Sequence, residues 1–418
     1  METVKLLNYI IAILFFACYS YQFAYILIAL FKGKKTGDKY KLHNYAVLIA
    51  ARNEEKVIAN LIESIKDQIY PSEYITVFVV ADNCTDSTAS VARNAGAVVY
   101  QRFNQQQVGK GYALDYLLSH IKDDYPEDCF DGYFVFDADN VLEPDYIYEM
   151  NRVFSQGYNI VTGYRNSKNF SDNWISAGYG LWFLRESQFL NKARYILGTS
   201  CNISGTGFVF SNEIIKRSDG WKYYLLTEDL EFTADNIING ERIGYCETAV
   251  LYDEQPTDFK QSVRQRMRWA RGYLQVFSNY GTGLVKSIFK NKSFSAYDMI
   301  MSISPAFILS VVGMLVNIVG VIICLGNPVM LLGSFLSLLQ SCVNIYLTLF
   351  VIGLITTVSE WRSIHASTAK KILYTFTFPL FMFTYIPISV AAMFKKVEWK
   401  PISHTRSAKL SDIRGLGD

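Results

Sequence analysis

The apolar residues of this chain gather at its two ends, and that segregation limits the architectures open to it. Leu6 to Phe31 is an almost unbroken apolar run of about 26 residues, interrupted by Asn8, Ser20 and Gln22. It is long enough to span a bilayer with some tilt and too long for the core of a signal peptide. A second apolar block runs from Tyr297 to Val358 and divides at Gly326-Asn327-Pro328, which predicts two helices with a tight turn. A third runs from Ile372 to Phe394 and contains Pro379 and Pro387, each of which breaks or kinks a helix unless neighbours satisfy the freed backbone. Half of the 418 residues are hydrophobic and 15% are aromatic, rich for a purely soluble chain.

Charge asymmetry orients these segments. Lys32, Lys34, Lys35, Lys39 and Lys41 follow the first run, and Lys5 alone precedes it, so the positive-inside rule places Lys32 onward in the cytoplasm. Three C-terminal spans would then leave the tail outside. That tail (Lys395, Lys396, Lys400, Arg406, Lys409, Arg414) is nevertheless basic, as is the loop from Arg362 to Lys371. Two solutions fit: the Pro-containing block re-enters, or the number of spans differs. The net charge of +2 supplies no global field for nucleic acid. The seven cysteines are scattered without a CxxC pair, and the four histidines are dispersed.

Between the apolar ends, Tyr45 to about Ser278 alternates short β-rich runs with helical patterns, the mark of parallel strands with crossover helices. Strands are expected at Ala46–Ala50, Ile75–Ala81, Ala97–Tyr100 and Tyr133–Phe136, and helices at Glu55–Ile69, Ser87–Asn94 and Gly109–Ile121. Open parallel sheets bind ligands beyond the carboxyl ends of their strands. Arg52, Asp82 and Asp137 all stand at such ends and are expected to share a cleft. The predicted organisation is an N-terminal transmembrane helix with basic flank (1–41), an α/β domain (42–280), an interfacial amphipathic helix (281–296), C-terminal transmembrane helices (297–394) and a basic tail (395–418).

Several motifs carry chemistry. Asp137-Ala138-Asp139 follows an apolar strand; its hard carboxylates suit Mg²⁺ or Mn²⁺, and its bland reading is a surface turn. Asp82-Asn83-Cys84-Thr85-Asp86 is either an Asx-type turn or a carboxylate placed to accept from the N3–H of uracil. Lys110, between Gly109 and Gly111, either opens a helix or reaches a phosphate. In Thr227-Glu228-Asp229, Asp229 is read either as a helix-initiating residue or as a general base. In Gln265-Arg266-Met267-Arg268-Trp269, helical spacing sets Gln265, Arg268 and Trp269 on one face, offering an amide, a guanidinium fork for phosphate and a flat indole. Arg264, Arg266, Arg268 and Arg271 also fit the basic face of a membrane-surface helix. Cation site, phosphate clamp, base and sugar platform together describe transfer of a sugar from a nucleotide diphosphate.

In their order, Ala50-Ala51-Arg52-Asn53-Glu54-Glu55, Val80 to Asp86, Gly109 to Leu114, Asp137-x-Asp139, Thr227-Glu228-Asp229 and Gln265-x-x-Arg268-Trp269 resemble the membrane-embedded glycosyltransferase family 2 enzymes, which include cellulose, hyaluronan, chitin and poly-N-acetylglucosamine synthases. The resemblance covers about Tyr45 to Ser278 and the layout of the flanking spans. It implies a GT-A-type, Rossmann-like nucleotide-sugar domain and an inverting, metal-dependent transfer from a UDP-sugar. Ala50, Arg52, Glu54, Asp82, Lys110 and Asp137 would bind the nucleotide sugar, with Asp82 on uracil and Asp137 near the diphosphate. Asp139 would ligate Mg²⁺ or Mn²⁺, Asp229 would be the base with Glu228 beside it, and Gln265, Arg268 and Trp269 would hold diphosphate and acceptor. The implied acceptor is a nascent polysaccharide; a lipid acceptor, as in ceramide glucosyltransferases, shares the same motifs.

Four further stretches join this expectation. Cys201 to Phe208 resembles the family's acceptor-side loop. Asn173 to Phe189 and Leu284 to Lys290 read as interfacial amphipathic helices, and Trp399 with Thr405-Arg406 resembles a tail placed near the nucleotide. The expected setting is a multi-pass membrane protein with its catalytic domain in the cytoplasm.

Overall fold

The computed structural model describes residues 2–33, 37, 40–402 and 404–415; Lys34, Lys35 and Lys39 of the basic flank lie outside the described residues, as do the side chains of residues 305–307. Two helices, α1 (Glu2–Tyr19) and α2 (Tyr21–Phe31), precede the α/β part. There follow β1 (Tyr45–Ala51), α3 (Ile58–Lys66), β2 (Ile75–Asp82), α4 (Thr88–Asn94), β3 (Val98–Arg102), α5 (Lys110–Asp124), β4 (Gly132–Asp137), β5 (Val141–Leu142), α6 (Tyr146–Phe154) and β6 (Ile160–Ser167). Next come α7 (Trp174–Arg185), a π-helical turn (Glu186–Asn191), α8 (Lys192–Leu197), β7 (Phe208–Ser211), α9 (Asn212–Ser218), α10 (Glu228–Ile238), β8 (Ile243–Asp253) and the long α11 (Phe259–Asn291). The C-terminal helices are α12 (Phe294–Ile303), α13 (Pro305–Cys324), α14 (Pro328–Ser359), α15 (Thr368–Phe383), α16 (Tyr385–Phe394) and α17 (Leu410–Arg414).

The strands form one sheet in the order β3-β2-β1-β4-β7-β6-β8-β5. The first four are parallel, as the β/α alternation requires, but β7 runs antiparallel to both β4 and β6, so the sheet is mixed. The order doubles back between β1 and β4, the point where an open α/β sheet leaves a crevice at its carboxyl edge. The register there sets Ala50 beside Val80 on one side and Asp137 on the other, and Asp82 beside Arg102. β1 is buried on both faces, as expected of a parallel strand covered by helices, and its side chains join the main core with α3, α5 and α6.

Two helices differ from expectation. Gly281 to Asn291 is no separate helix; it is the final third of α11, whose buried face continues through Val276, Gly281, Leu284 and Ser287. Asn173 to Phe189 is not an interfacial helix with one wet face either. Ile175 through Leu181, Phe183 and Leu184 are all buried, because α7 is pressed between β6 and α15, with Phe381 standing where a Cβ on Gly178 would be.

Among the described residues, Val4–Phe31, Pro328–Ser359 and Thr368–Phe394 are long and apolar enough to cross a membrane, and a fourth span exists if the bent pair α12–α13 counts as one. The turn at Asn327 is capped by its own side chain, which accepts from Val329 and Met330 N–H. Pro379 lies inside α15, and the block breaks at Thr384. Both ends of this block meet the α/β domain. Near its start Lys370 Nζ donates to Ser171 O at 2.9 Å. Beyond its end, Thr405 and Arg406 N–H donate to the Glu254 carboxylate, and Arg406 pairs with Asp172. The tail therefore stands on the same side as the sheet.

Candidate active site

Strand ends build one wall. Asp82, almost fully buried at the end of β2, takes the Arg102 guanidinium at 2.7 Å and the Asn83 amide at 3.0 Å, both on Oδ1. Asn53 and Asn83, just past β1 and β2, adopt left-handed backbone with φ of 60° and 51°. Asparagine tolerates that region, and Asn53 Oδ1 is fixed there by the Thr85 N–H at 2.8 Å. Ala50 lines the β1 edge, and the Arg52 guanidinium lies 5.4 Å from the Trp399 ring centroid. Glu54 is buried and accepts from His404 at 2.9 Å. Burial pushes its carboxyl up to about 7 despite the imidazole. His404 resists the opposing effect of burial, because Asp139 and Glu54 raise it to about 10.

The Asp-x-Asp motif stands at the centre. Asp137 pairs with Lys110, whose Nζ also donates to Gly205 O at 2.8 Å. Asp139 is 3% exposed and accepts the Glu254 N–H at 2.7 Å. Burial works against its charge, yet His404, Lys168 and Arg165 around it hold its carboxyl below the usual range. Among the described residues no three acid, histidine or cysteine side chains make a closed metal cage. Buried oxygens of Glu54 (Oε2) and Asp253 (Oδ1), both near the motif, lack hydrogen-bond partners. Two carboxylates beside partnerless acceptor oxygens fit a hard divalent ion that takes its other ligands from phosphates and water.

The opposite wall comes from two helix faces. α10 begins at Glu228, which puts Glu228 and Asp229 in the first turn, favoured by the helix dipole. Burial raises both carboxyls, Glu228 to about 7 with Asp229's charge adding to the effect. Lys110 and Arg268 draw both downward. α11 presents Gln265, Arg268 and Trp269 on one face. Arg268 Nη1 donates to Leu226 O at 2.7 Å, and Gln265 Oε1 is buried without a partner. Trp269 meets Tyr179 and Phe183 edge-on, with centroids 5.7 and 6.1 Å apart. Arg266 leaves this face altogether: it is fully buried against Phe381, Thr384 and Tyr385. Gly272 lets α11 lie on the start of α10, since a Cβ there would stand 2.4 Å from Thr227 Oγ1.

Contacts gather much of the predicted set: Lys110 links Asp137 to Gly205, His404 sits on Glu54, and Asp139 takes the Glu254 N–H, while Arg266 lies apart; several residues that reasoning from sequence passed over join them. Arg165 pairs with Asp253 and donates to Ser204 O at 2.5 Å, and its guanidinium carbon stands 3.6 Å from the Phe183 centroid. Lys168 is buried beside Asp139. Glu186 opens the π-helical turn; burial raises its carboxyl against the pull of Arg194, Ser204 and Arg165. The one available signal was that β6 and β8 end in Arg165-Asn-Ser-Lys168 and Asp253-Glu254, charged residues closing apolar strands.

Comparison with known proteins shows the family and the fold. "Probable glycosyltransferase YdaM" of Bacillus subtilis is 28% identical over 253 residues, 56% of this chain and 56% of that protein. The "Beta-monoglucosyldiacylglycerol synthase" of Synechocystis is 24% identical, covering 56% of this chain and 48% of that one. The "Poly-beta-1,6-N-acetyl-D-glucosamine synthase" of Staphylococcus epidermidis is 20% identical over 57% of each. The chain spans about half the length of these curated relatives. The structure of the mannosyltransferase PcManGT from Pyrobaculum calidifontis, in complex with GDP-Man and Mn²⁺, matches the fold with a TM-score of 0.55 at 17% identity, over 93% of this chain and 99% of that one. The family model described as "Glycosyltransferase like family 2" matches residues 43–272, and this chain is a member of that glycosyltransferase family, with a GT-A fold.

Proposed function

We propose that the protein moves a sugar from a UDP-sugar to a growing polysaccharide at the membrane, inverting the anomeric carbon, with its α/β domain in the cytoplasm. The observation that supports this most is the Asp229 carboxyl beside Lys110 and Arg268, with Lys110 also paired to Asp137 of the Asp-x-Asp motif. In this reading Asp82 Oδ2 accepts from uracil N3–H while Arg102 holds Oδ1. Ala50, Arg52 and Glu54 line the nucleotide, and Lys110 and Arg268 take the diphosphate. Asp139, with Asp137, would hold Mg²⁺ or Mn²⁺, which when bound neutralises charge on the leaving diphosphate. Asp229 takes the proton from the acceptor hydroxyl as that oxygen bonds to C1. The C1–O bond to the diphosphate breaks on the opposite face, and UDP leaves with the electron pair. Glu228 keeps the pair's charge shared, Gln265 meets the diphosphate edge, and Trp269 is the acceptor platform.

One observation favours a second reading, single transfer to a lipid acceptor. Among the described residues three helices, or four with the bent α12–α13 pair, are long and apolar enough to cross a membrane, a small membrane part for a polymer channel. The deciding experiment incubates the purified full chain in lipid with a panel of UDP-sugars and a divalent metal, then sizes the products. A ladder of increasing length supports the polymer reading, one sugar on a lipid supports the second, and no product with any donor overturns both.

A further inference from the structure

The crevice described above is joined to the membrane helices by a buried chain of hydrogen bonds that none of the family motifs includes. Asp298 of α12 is 2% exposed and carries four donors on two oxygens. Tyr21 OH reaches Oδ1 at 2.7 Å and Tyr25 OH reaches Oδ2 at 2.8 Å, both from α2 in the first apolar run. Arg194 of α8, 1% exposed, grips the same carboxylate as a fork, Nε to Oδ2 at 2.8 Å and Nη2 to Oδ1 at 3.0 Å. Its remaining nitrogen, Nη1, donates to Asn191 Oδ1 at 3.1 Å. Asn191, the last residue of the π-helical turn, then closes a double clasp on Asn202: it accepts the Asn202 N–H at 2.9 Å and donates Nδ2 to Asn202 O at 2.9 Å.

Asn202 is the root of the loop that crosses the crevice. One residue on, the Ile203 N–H reaches Thr233 Oγ1 at 3.4 Å, and that hydroxyl donates to Asp229 O at 2.8 Å. Ser204 O takes Arg165, and Gly205 O takes Lys110. Thr206 Oγ1 accepts the Asp137 N–H at 2.9 Å. Gly205 holds a φ of +82°, and a Cβ on it would meet Asp229 Oδ2 at 3.8 Å. The loop is thus tied at its tip to Arg165, Lys110 and Asp137 and at its root, through Asn191 and Arg194, to the helices of the first apolar run and α12.

We propose that Arg194, Asp298 and Asn191, clamped by Tyr21 and Tyr25, are positioning residues that set loop 202–206 against Asp229 and so fix where the acceptor hydroxyl sits. This rests on the glycosyl-transfer reading of the crevice. A buried ion pair contributes little net stability, because desolvation offsets attraction. Its value lies in geometry, since a guanidinium fork and two phenols fix one orientation of the carboxylate. Displacement of a catalytic constellation by about 1 Å costs on the order of 100-fold in rate.

The test uses the full chain in lipid, with whichever UDP-sugar of the panel the wild type turns over. Four quantities are read on each sample: donor affinity, UDP released in total, sugar recovered in product, and Tm. Tyr25→Phe, which keeps the ring and removes one hydrogen bond, and Asp298→Asn should each lose about 10-fold or more in sugar transferred. Donor affinity should stay unchanged, and the fraction of donor lost to water should rise. Arg194→Lys should not rescue, because an ammonium cannot hold both carboxylate oxygens and Asn191 together. Native transfer in Tyr25→Phe and Arg194→Lys would overturn the proposal. So would parallel loss of donor affinity, UDP release and transfer with Tm, the signature of a merely structural contact. Should Asp298→Asn fail to fold, Tyr25→Phe decides alone. If the wild type binds no UDP-sugar, it is the reading of the crevice that fails, not the clamp.

Discussion

The contact of α11 with the start of α10 offers a quantitative test of how the site is held. Gly272 faces Thr227 so closely that a methyl group there would lie 2.4 Å from Oγ1, 2.5 Å from Cγ2 and 2.9 Å from Cβ. Ordinary carbon contacts are about 3.5–4.0 Å, so Gly272→Ala must push the helices apart by roughly 1 Å. Overpacking of this kind costs about 1–3 kcal/mol. The larger consequence is functional, because the same shift carries Arg268 and Trp269 away from Glu228 and Asp229. A displacement of that size is expected to lower transfer about 100-fold while the nucleotide wall on β1 and β2 still binds UDP. Thr227→Ala removes the two nearest atoms, and Thr227 Oγ1 is buried without a partner, so its own cost is small. The double variant should recover part of the lost transfer and Tm, since the Cβ that remains still lies 2.9 Å from the new methyl group. Assays of Tm, UDP affinity and sugar transfer on the four proteins form a complete cycle. Full activity in Gly272→Ala, or no recovery in the double variant, would refute the claim that this contact sets the distance between base and platform.

Other outcomes follow from the same geometry. Trp269→Ala loses two edge-on aromatic contacts, about 1–3 kcal/mol in sum, and should impair transfer far more than UDP binding; loss of all three in step would make the indole simple packing. Asp229→Asn should lower transfer about 10²–10⁴-fold with UDP still bound, and near-native turnover would place the base elsewhere. Chelation should stop transfer and Mg²⁺ or Mn²⁺ restore it, with Asp139→Ala inactive at every metal concentration; activity in excess chelator would remove the ion from the scheme. Glu228 has its pKa raised to about 7 from 4.5, first by burial and then by Asp229. Folded Glu228 therefore binds more proton than unfolded between those values, and stability falls as pH rises through that window. Glu228→Gln should raise Tm relative to wild type above a pH of about 7 and match it near 4.5. A constant difference in Tm across that range would show that Glu228 does not titrate there.

The half of the sheet that obeys parallel β/α alternation was legible in the sequence, because buried parallel strands read as continuous apolar runs with polar residues at their ends. β1 to β4 fall within one or two residues of their expected bounds, and they bring Arg52, Asp82 and Asp137 to one edge. β5 to β8 were not legible. Their partners are antiparallel or far apart in sequence, and β8 carries exposed Glu247 and Thr248 mid-strand. The pairing of Arg165 with Asp253 needs that second half, so no spacing rule could have found it. α7 was misread because Trp174, Trp182 and Phe183 suit a lipid interface and a crowded core equally well. Its neighbours Gly178 and Gly180, which admit Phe381 and Phe170, mark the core instead.

The side of the tail, which charge counting left open, follows from contacts rather than from hydropathy, and it changes how the site relates to the membrane. α11 has two working faces. One carries Gln265, Arg268 and Trp269 into the crevice. The other carries Arg266, whose Nη1 donates to Phe381 O at 3.2 Å and to Thr384 Oγ1 at 2.5 Å. Those two acceptors lie where α15 breaks, and a helix break frees carbonyls that need donors. Arg266 thus ties the break in the Pro-containing block to α11, adding a donor to a carbonyl that already accepts from Thr384. Phe381 and Tyr385 also lie over its guanidinium, at 4.4 and 5.0 Å. After α16 the chain returns to set Trp399 on Arg52 and His404 on Glu54, past the carboxyl end of β1. The apolar block is therefore tied at both ends of the site.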